Sequence, residues 1–291
     1  MKKIVVFGST GMLGTPVTKA LTEAGFEVTV LVRNEQLAAR LFPEARIIKG
    51  NIKNEADVEK VMLGQDAVFM SLSVLQTEKE SDWHTEQQGI DTMLAVAKRE
   101  GIKRIGYLSS LVHLYQGMDG FDWWVFRVKQ EALRKIKTAG IPYTIFYPST
   151  FMESIFYQSK QGNMIALGGT SDYPLYYIAA DDYARQVANS FKILADENKE
   201  YVVQGPEAFT QDEAARLFVN HYTKEKLRII WAPMFMMKLM GVISRKFDYG
   251  YHIVTALNKY PEKFEAANTW EELGKPAITL KAFARQLSLK P

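Results

Sequence analysis

Three glycines near the start of the chain form a pattern that suits the binding of a phosphate group. An apolar run that is typical of a buried strand precedes them, and a helical pattern follows. The glycine segment reads Gly8-Ser9-Thr10-Gly11-Met12-Leu13-Gly14. A tight turn with few side chains at a helix N-terminus lets backbone N–H groups approach an anion, and the helix dipole favours its charge. The segment therefore predicts a site for the pyrophosphate of a dinucleotide.

The residues that follow complete the unit on which this prediction depends. Pro16 falls in the first helical turn, where its missing N–H costs nothing. An apolar stripe at helical spacing then runs to Gly25, and residues 26–32 form a second strand pattern. A strand, a glycine turn, a helix and a second strand favour a dinucleotide site over an ordinary tight turn.

The end of the second predicted strand indicates which dinucleotide is bound. NAD-binding proteins place an acidic residue there to hold the ribose 2′-hydroxyl. This chain has Arg33, whose guanidinium suits a 2′-phosphate through charge-assisted contacts. A solvated arginine at a strand end is the alternative. We expect NADP(H) in preference to NAD.

Strand and helix patterns alternate along the first half of the chain. Further strands are predicted over residues 46–48, 66–73, 104–109 and 143–147, with helices between them over 54–63, 83–99 and 122–138. This alternation predicts an α/β fold with a Rossmann-type, doubly wound parallel sheet and right-handed crossovers. Ligands then bind at the carboxyl ends of the strands. Residues 1–155 are predicted to form the NAD(P)-binding domain.

The pattern loosens after residue 155, and residues 156–291 are predicted to form a smaller α/β substrate lobe without a sharp boundary. Short strands are expected over 178–180 and 201–203, a capping box over Thr210–Glu213, and helices in the remainder. The methionine-rich stretch 234–240 is interpreted as a buried or lobe-packing helix. A pliable substrate lid or a homodimer face is the alternative.

Composition limits the classes of function. Of 291 residues, 47% are hydrophobic and 24% are charged, and the net charge is +3. No basic run interleaved with aromatic residues points to nucleic acid, and no apolar stretch is long enough to span a membrane. Cysteine is absent, which excludes disulfides and thiolate metal sites, and the four scattered histidines lack metal-ligand spacing. We expect a cytoplasmic protein without a metal ion.

Several motifs together resemble one group within a larger superfamily. Besides the glycine turn they are Val32-Arg33, Gly50-Asn51-Ile52, Gly101-Ile102-Lys103-Arg104, Ser109-Ser110, Lys129, Pro142-Tyr143-Thr144, Tyr147-Pro148, Phe151-Met152-Glu153 and Asp181-Asp182-Tyr183-Ala184. Over residues 1–215 the chain resembles an atypical short-chain dehydrogenase/reductase of the NmrA-like group, which includes isoflavone-reductase-like enzymes. The resemblance implies a Rossmann fold and an NADP-dependent oxidoreductase or a dinucleotide-binding relative.

The chain departs from the wider superfamily at the catalytic pair. That superfamily uses Tyr-x-x-x-Lys, in which the tyrosine hands a proton to the substrate carbonyl. Here Lys129 fits the lysine position, but Val125 stands four residues earlier. The isoflavone-reductase-like branch resembles this arrangement, and its lysine carries the proton or holds the nicotinamide ribose. Lys129 is thus a candidate catalytic and ribose-binding residue, with a surface lysine on a basic helix as the alternative.

The resemblance and the strand-end positions imply the remaining site residues. Those expected to bind the cofactor are Gly8, Thr10, Gly11, Met12, Leu13, Gly14, Arg33, Asn51, Ile52, Ser71, Lys129, Tyr147, Pro148 and Phe151. Those expected to contact substrate are Ser110, His113, Trp123, Trp124 and Met152, and Ser109 is a catalytic candidate beside Lys129. Ser110 and His113 do not indicate a hydrolase, because the Gly-x-Ser-x-Gly nucleophile elbow is missing.

Two functions remain open at this stage. The first is an NADP(H)-dependent reductase of a small apolar carbonyl, quinone or enone-like compound. The second is a non-catalytic NmrA-like regulator or scaffold that senses a dinucleotide, to which Val125 points. Both bind a dinucleotide, so the glycine turn does not separate them, and the fold alone establishes no reaction.

Overall fold

A seven-stranded parallel sheet forms the centre of the molecule in a computed structural model that describes residues 1–193 and 196–289. Its strand order is β3-β2-β1-β4-β5-β6-β10. The strands are β1 (Lys3–Phe7), β2 (Glu27–Val32), β3 (Arg46–Lys49), β4 (Ala67–Met70), β5 (Arg104–Leu108), β6 (Tyr143–Pro148) and β10 (Lys199–Val203). The strand order reverses between β1 and β4, as in doubly wound folds. The predicted fold class is confirmed.

Helices cover both faces of this sheet. They are α1 (Gly14–Glu23), α2 (Glu35–Leu41), α3 (Glu55–Met62), α4 (Ile90–Arg99), α5 (Trp124–Lys137) and α7 (Ala180–Lys192). One apolar core contains Val58, Met93 and Leu133 of α3, α4 and α5. The other contains Val17 of α1 and Val187 of α7. Because parallel strands are buried on both faces, they read as the continuous apolar runs seen in the sequence.

The register of the sheet brings the strand ends to one edge. Val5 pairs with Thr29 of β2 and with Val68 of β4, and β4 pairs in turn with β5. The loops that follow β1, β4 and β5 therefore start side by side. This edge is where the sequence analysis places the ligand.

The C-terminal half adds a smaller layer with its own core. It contains α6 (Glu153–Tyr157), β7 (Lys160–Gln161), β8 (Met164–Gly168), β9 (Leu175–Tyr176), β11 (Ala208–Phe209), α8 (Gln211–His221), β12 (Arg228–Ala232), α9 (Met234–Gly241), α10 (Arg245–Lys259), α11 (Ala267–Leu273) and α12 (Leu280–Leu289). Strand β8 pairs with both β7 and β12. The segment after residue 155 also returns α7 and β10 to the main sheet.

Several local expectations are corrected by the structure. The segment Arg228–Ala232 is a strand paired with β8, although the sequence suggested helices throughout this region. The methionine-rich helix α9 has no buried residue, so it is not a buried helix, but Met234 and Met237 pack on Gly169 and Gly168, as the lobe-packing form of the prediction expects. A π-helical turn, Thr85–Gly89, precedes α4 where one continuous helix was predicted. The predicted strand over 178–180 is reduced to a single bridge between Ile178 and Phe151.

Two predicted helix caps are confirmed. The side chain of Asn54 accepts a hydrogen bond from the Ala56 N–H at the start of α3. Thr210 and Glu213 form the reciprocal capping box that opens α8. These signals lie within a few residues of one another, so local sequence is sufficient to specify them.

Candidate functional site

The glycine turn between β1 and α1 is closed so tightly that side chains do not fit in it. Gly8 has a φ of +78°, and a Cβ there would lie 2.0 Å from the carbonyl oxygen of Ser71. A Cβ at Gly14 would lie 2.0 Å from the carbonyl oxygen of Gly8. The Gly11 N–H donates to the same Gly8 carbonyl at 3.1 Å. The absence of a Cβ at Gly8 and Gly14 therefore lets the turn close on itself and lie against the end of β4.

The N-terminus of α1 fits an anionic ligand. No side chain caps the helix among the described residues, and no acidic residue stands in its first turn. Ser9 Oγ and Ser109 Oγ are buried at the ends of β1 and β5, and neither has a hydrogen-bond partner in the described part of the chain. An uncapped helix N-terminus that follows the partnerless Ser9 hydroxyl offers donors to a pyrophosphate, while Ser109 lies two strands away at the end of β5. Thr10 and Gly11 are exposed at this point.

Arg33 follows β2 directly and is exposed. Within residues 1–193 and 196–289 its guanidinium makes no hydrogen bond or ion pair. The neighbouring Asn34 side chain accepts from the Leu37 N–H and caps α2. Arg33 is therefore available to a phosphate at the carboxyl end of β2.

The loop after β3 is shaped by the predicted Gly50-Asn51-Ile52 segment. The Asn51 N–H donates to Asp57 Oδ2 at 2.9 Å, and Asn51 Oδ1 accepts from the Lys53 N–H at 3.1 Å. Ile52 packs against the core that α3 and α4 share. The segment is ordered by its own hydrogen bonds, with the Asn51 side chain exposed at its surface.

Lys129 is buried and ion-paired, which excludes the surface-lysine alternative. Its Nζ lies 2.5 Å from Glu86 Oε1, and the two side chains are 10% and 0% exposed. The Tyr107 hydroxyl donates to the same Oε1 at 2.7 Å, and the Val74 N–H donates to Glu86 Oε2 at 3.0 Å. Both carboxylate oxygens are thus engaged. The ammonium sits beneath the loop after β4 and against β5.

Burial governs the acidity of Tyr107. This side chain is 0% exposed, and burial raises the pKa of its phenol well above the usual value. The adjacent Glu86 carboxylate acts in the same direction, because a negative charge disfavours a phenolate. Tyr107 therefore stays a neutral donor to Glu86 and does not replace the missing phenol at Val125.

Glu86 was not predicted as a site residue, although one signal in the sequence marks it. The residue stands four positions before Ile90 and seven before Met93, both buried on α4. It therefore continues the apolar stripe of that helix, where an acidic residue must have a partner. The identity of that partner, 43 positions along the chain, is set only by tertiary packing.

His113 is the second buried titratable group near this site. Its Nδ1 is hydrogen-bonded to the Ser110 carbonyl oxygen, and its ring stacks on Tyr147 with centroids 5.9 Å apart. Burial lowers the pKa of His113 to about 4. The Tyr147 hydroxyl donates in turn to Glu200 Oε2 at 2.7 Å, which Lys137 also contacts at 2.8 Å. At neutral pH His113 is therefore uncharged.

The two tryptophans that are expected to contact substrate pack against other parts of the protein. Trp123 is buried against Tyr249 and His252 of α10. The ring centroids of Trp124 and His84 are 4.9 Å apart. A small pocket of about 120 Å³ lies between these tryptophans and α10, beside Arg245. Phe151 and Met152 are also buried, in the cores of the sheet and of the C-terminal layer. Substrate contact by Trp123, Trp124 and Met152 stays a prediction, as does cofactor contact by Phe151.

A doubly wound sheet with a tight glycine turn at its carboxyl edge defines the class of dinucleotide-binding Rossmann proteins. Comparison with known proteins agrees, since residues 8–192 match the family described as NAD(P)H-binding. The chain therefore belongs to the NAD(P)H-binding family.

Curated relatives are distant and differ in their described roles. A photosystem II assembly factor, Ycf39, from Trieres chinensis is 24% identical over 86% of this chain and 78% of that protein. A reductase of (4-alkanoyl-5-oxo-2,5-dihydrofuran-3-yl)methyl phosphate from Streptomyces griseus is 26% identical over 72% of this chain and 70% of that protein. An NAD(P)H azoreductase from Xenophilus azovorans is 23% identical over 73% and 71%.

Solved structures share the fold across nearly the whole chain. A nucleoside-diphosphate-sugar epimerase from Staphylococcus aureus has a TM-score of 0.78 at 17% identity, covering 98% of this chain and 100% of that chain. An NADPH-dependent quinone oxidoreductase from Escherichia coli, complexed with NADPH, has a TM-score of 0.75 at 19% identity, covering 98% and 99%. At these identities the likeness concerns the fold.

Proposed function

We propose that the protein is an NADP(H)-dependent reductase of the NmrA-like group that acts on a small apolar carbonyl, quinone or enone-like compound. The observation that carries the proposal is Lys129, a buried cation held by Glu86 at the carboxyl edge of the sheet. A buried ion pair costs desolvation and adds little to stability, so a positioned ammonium here suits a binding role.

Different residues at the carboxyl edge of the sheet are suited to different parts of the dinucleotide. The glycine turn and the N-terminus of α1 would hold the pyrophosphate, and Arg33 would hold a 2′-phosphate. Lys129 has three N–H donors and gives one to Glu86, which leaves others for the nicotinamide ribose. When bound, the nicotinamide supplies a hydride.

Neither of the buried titratable groups Tyr107 and His113 is poised to donate a proton at neutral pH. Tyr107 is fully buried with a raised pKa, and His113 has a pKa of about 4. We infer that the residues of the site orient the acceptor, so that hydride transfer depends on proximity, and that the anion left by hydride addition takes its proton from solvent. A conjugated acceptor suits this arrangement, because its anion is delocalised until water protonates it.

The relatives support an acceptor of this kind. Among them are reductases named for an azo compound and for an oxo-dihydrofuran phosphate, and the shared fold occurs in a quinone oxidoreductase. The alternative, a dinucleotide-sensing regulator, is favoured by Val125 together with the full pairing of the Glu86 carboxylate.

The test is an NADPH-oxidation screen over quinones, enones and aldehydes, run beside a cofactor titration. Lys129→Met is compared with Lys135→Met, a lysine on the same helix that pairs with Asp91 near the surface. We expect turnover with at least one conjugated acceptor. For Lys129→Met we expect cofactor affinity to fall roughly 10- to 150-fold, the value of one charged hydrogen bond.

Other outcomes separate the alternatives. A fall in turnover of about 10²–10⁴-fold with affinity retained would make Lys129 a proton donor instead. A blank screen with tight NADPH binding would overturn the reductase and favour the regulator. Loss of cofactor binding in Lys135→Met as well would indicate a general effect on the fold.

A further inference from the structure

The junction of α9 and α10 exposes an unusual amount of apolar surface. Phe235 and Leu239 of α9 are 71% and 70% exposed, and Val242 and Ile243 at the junction are 82% and 86% exposed. We call these four residues the apolar tip. Met236 and Met240 beside them are exposed as well. A patch of this kind on a folded protein marks an interaction surface.

Packing on the inner side of α9 fixes the direction in which the tip points. A Cβ on Gly168 would lie 2.5 Å from Met237 Sδ, and one on Gly169 would lie 2.8 Å from Met234 Cγ. These two methionines therefore rest directly on the backbone at the end of β8. Phe235 and Leu239 lie on the opposite side of α9, Val242 and Ile243 follow its last residue, and nothing in the described chain covers the tip. A helix that is apolar on all sides is normally buried in a core or in lipid.

Exposed basic residues flank the tip. Lys238 lies on α9, and Arg245 and Lys246 begin α10 two residues after Ile243. All three are exposed. The acidic residue Asp248 follows on α10 and lies against Gly241, so basic side chains outnumber acidic ones at this junction.

We propose that this tip docks on an anionic lipid surface. An apolar helix end inserts shallowly among acyl chains while flanking lysines and arginines contact the headgroups. Binding then gains both from the burial of apolar surface and from attraction to the anionic lipids. The described residues contain no helix long and apolar enough to cross a bilayer, so binding would be peripheral. The inference does not depend on the reductase activity.

A second copy of the chain is a poorer occupant. A two-fold interface places the same patch of each subunit face to face. Lys238, Arg245 and Lys246 would then oppose their own equivalents, three basic side chains in each subunit against the single acidic residue Asp248 at the same junction. Anionic headgroups supply the missing opposite charge.

Vesicle co-sedimentation tests the proposal. The full chain is mixed with vesicles of phosphatidylcholine alone or of an equimolar mixture of phosphatidylcholine and phosphatidylglycerol. We expect binding to the anionic vesicles only. Val242→Ser with Ile243→Ser should weaken it at least about tenfold, because two apolar side chains no longer insert. Lys238→Gln with Lys246→Gln should weaken it by about fivefold per lysine.

The matched control is Lys60→Gln with Leu63→Ser, an exposed lysine and a 65% exposed leucine at the C-terminal end of α3. This control should bind vesicles as the wild type does, and all variants should keep the wild-type thermal midpoint. Failure of the wild type to bind anionic vesicles would overturn the proposal. So would equal binding by the Val242→Ser, Ile243→Ser variant. A wild-type dimer that this variant converts to monomer, without vesicle binding, would assign the tip to a second copy.

Discussion

A single buried carboxylate organises the polar centre of this protein. Glu86 accepts hydrogen bonds from the Val74 N–H, the Tyr107 hydroxyl and the Lys129 ammonium. Because all three donors come from different elements, the carboxylate ties the loop after β4 to β5 and α5. The lysine is consequently held in one position, which a cofactor-binding group requires.

The first prediction concerns the free energy of unfolding. Glu86→Gln keeps the shape of the side chain but leaves the Lys129 ammonium buried without its counter-charge. We expect a loss of about 3–5 kcal/mol, the usual cost of breaking a buried pair. Urea unfolding measures it. The double variant Glu86→Gln, Lys129→Met should recover part of this loss, and strict additivity of the two single effects would contradict the coupling.

The second prediction concerns pH. Burial holds the pKa of His113 at about 4, below its ordinary value of 6.5. As pH falls below 6.5, His113 becomes protonated in the unfolded chain but stays neutral in the native state. The free energy of unfolding therefore decreases until native His113 is also protonated near pH 4. The decrease attributable to this group is about 3 kcal/mol.

Unfolding in urea across that pH range checks the effect, with His113→Asn as the comparison. The asparagine keeps an N–H donor for the Ser110 carbonyl but does not titrate. Its stability should therefore fall less steeply than that of the wild type. Parallel pH profiles for the two proteins would show that His113 does not contribute.

At the scale of elements, the β1–α1 unit was the easiest part to predict. Glycines at positions 8, 11 and 14 after an apolar run specify a turn by local sterics, and the structure confirms the positive φ of Gly8 and the close approach at Gly14. The alternation of strand and helix patterns after this unit was sufficient to predict the parallel sheet. Asn54 and Thr210 were also predictable, because a cap acts within one helical turn.

Elements that depend on distant partners were not predictable. Strand β12 forms because it pairs with the edge of β8, and no pattern in residues 228–232 indicates that partner. Helix α9 looks buried by composition, yet none of its residues is buried, although Met234 and Met237 pack closely on Gly169 and Gly168. Glu86 lies on the apolar stripe of α4, but its pairing with Lys129 exists only in the folded chain.

The third prediction belongs to the glycine turn. Gly14→Ala places a methyl group where the Gly8 carbonyl oxygen lies 2.0 Å away, so the turn must open. We expect loss of dinucleotide binding and a decrease in unfolding free energy of about 1–3 kcal/mol. Gly250→Ala is the control, because its Cβ would meet only Met237 Cε, at 3.6 Å. Retained NADPH affinity in Gly14→Ala would place the pyrophosphate elsewhere.

At the scale of the whole molecule, the two proposed functions belong to different parts of the chain. The chain belongs to the NAD(P)H-binding family, and we propose that the glycine turn at the edge of the sheet holds the dinucleotide. The C-terminal layer packs α10 against Trp123 beside the start of α5 and exposes the apolar side of α9. Helix α10 thus contacts a tryptophan that is predicted to contact substrate, and it begins next to the proposed lipid-docking tip.

The most direct measurement of the central claim is a comparison of NADPH and NADH affinities by calorimetric titration. Arg33 stands exposed after β2 and makes no ion pair with the described residues. We expect NADPH to bind roughly 10- to 150-fold more tightly than NADH, because one charge-assisted contact to the 2′-phosphate has this value. Arg33→Asp should shrink or reverse this preference. Equal affinities of the wild-type protein for the two dinucleotides would contradict it.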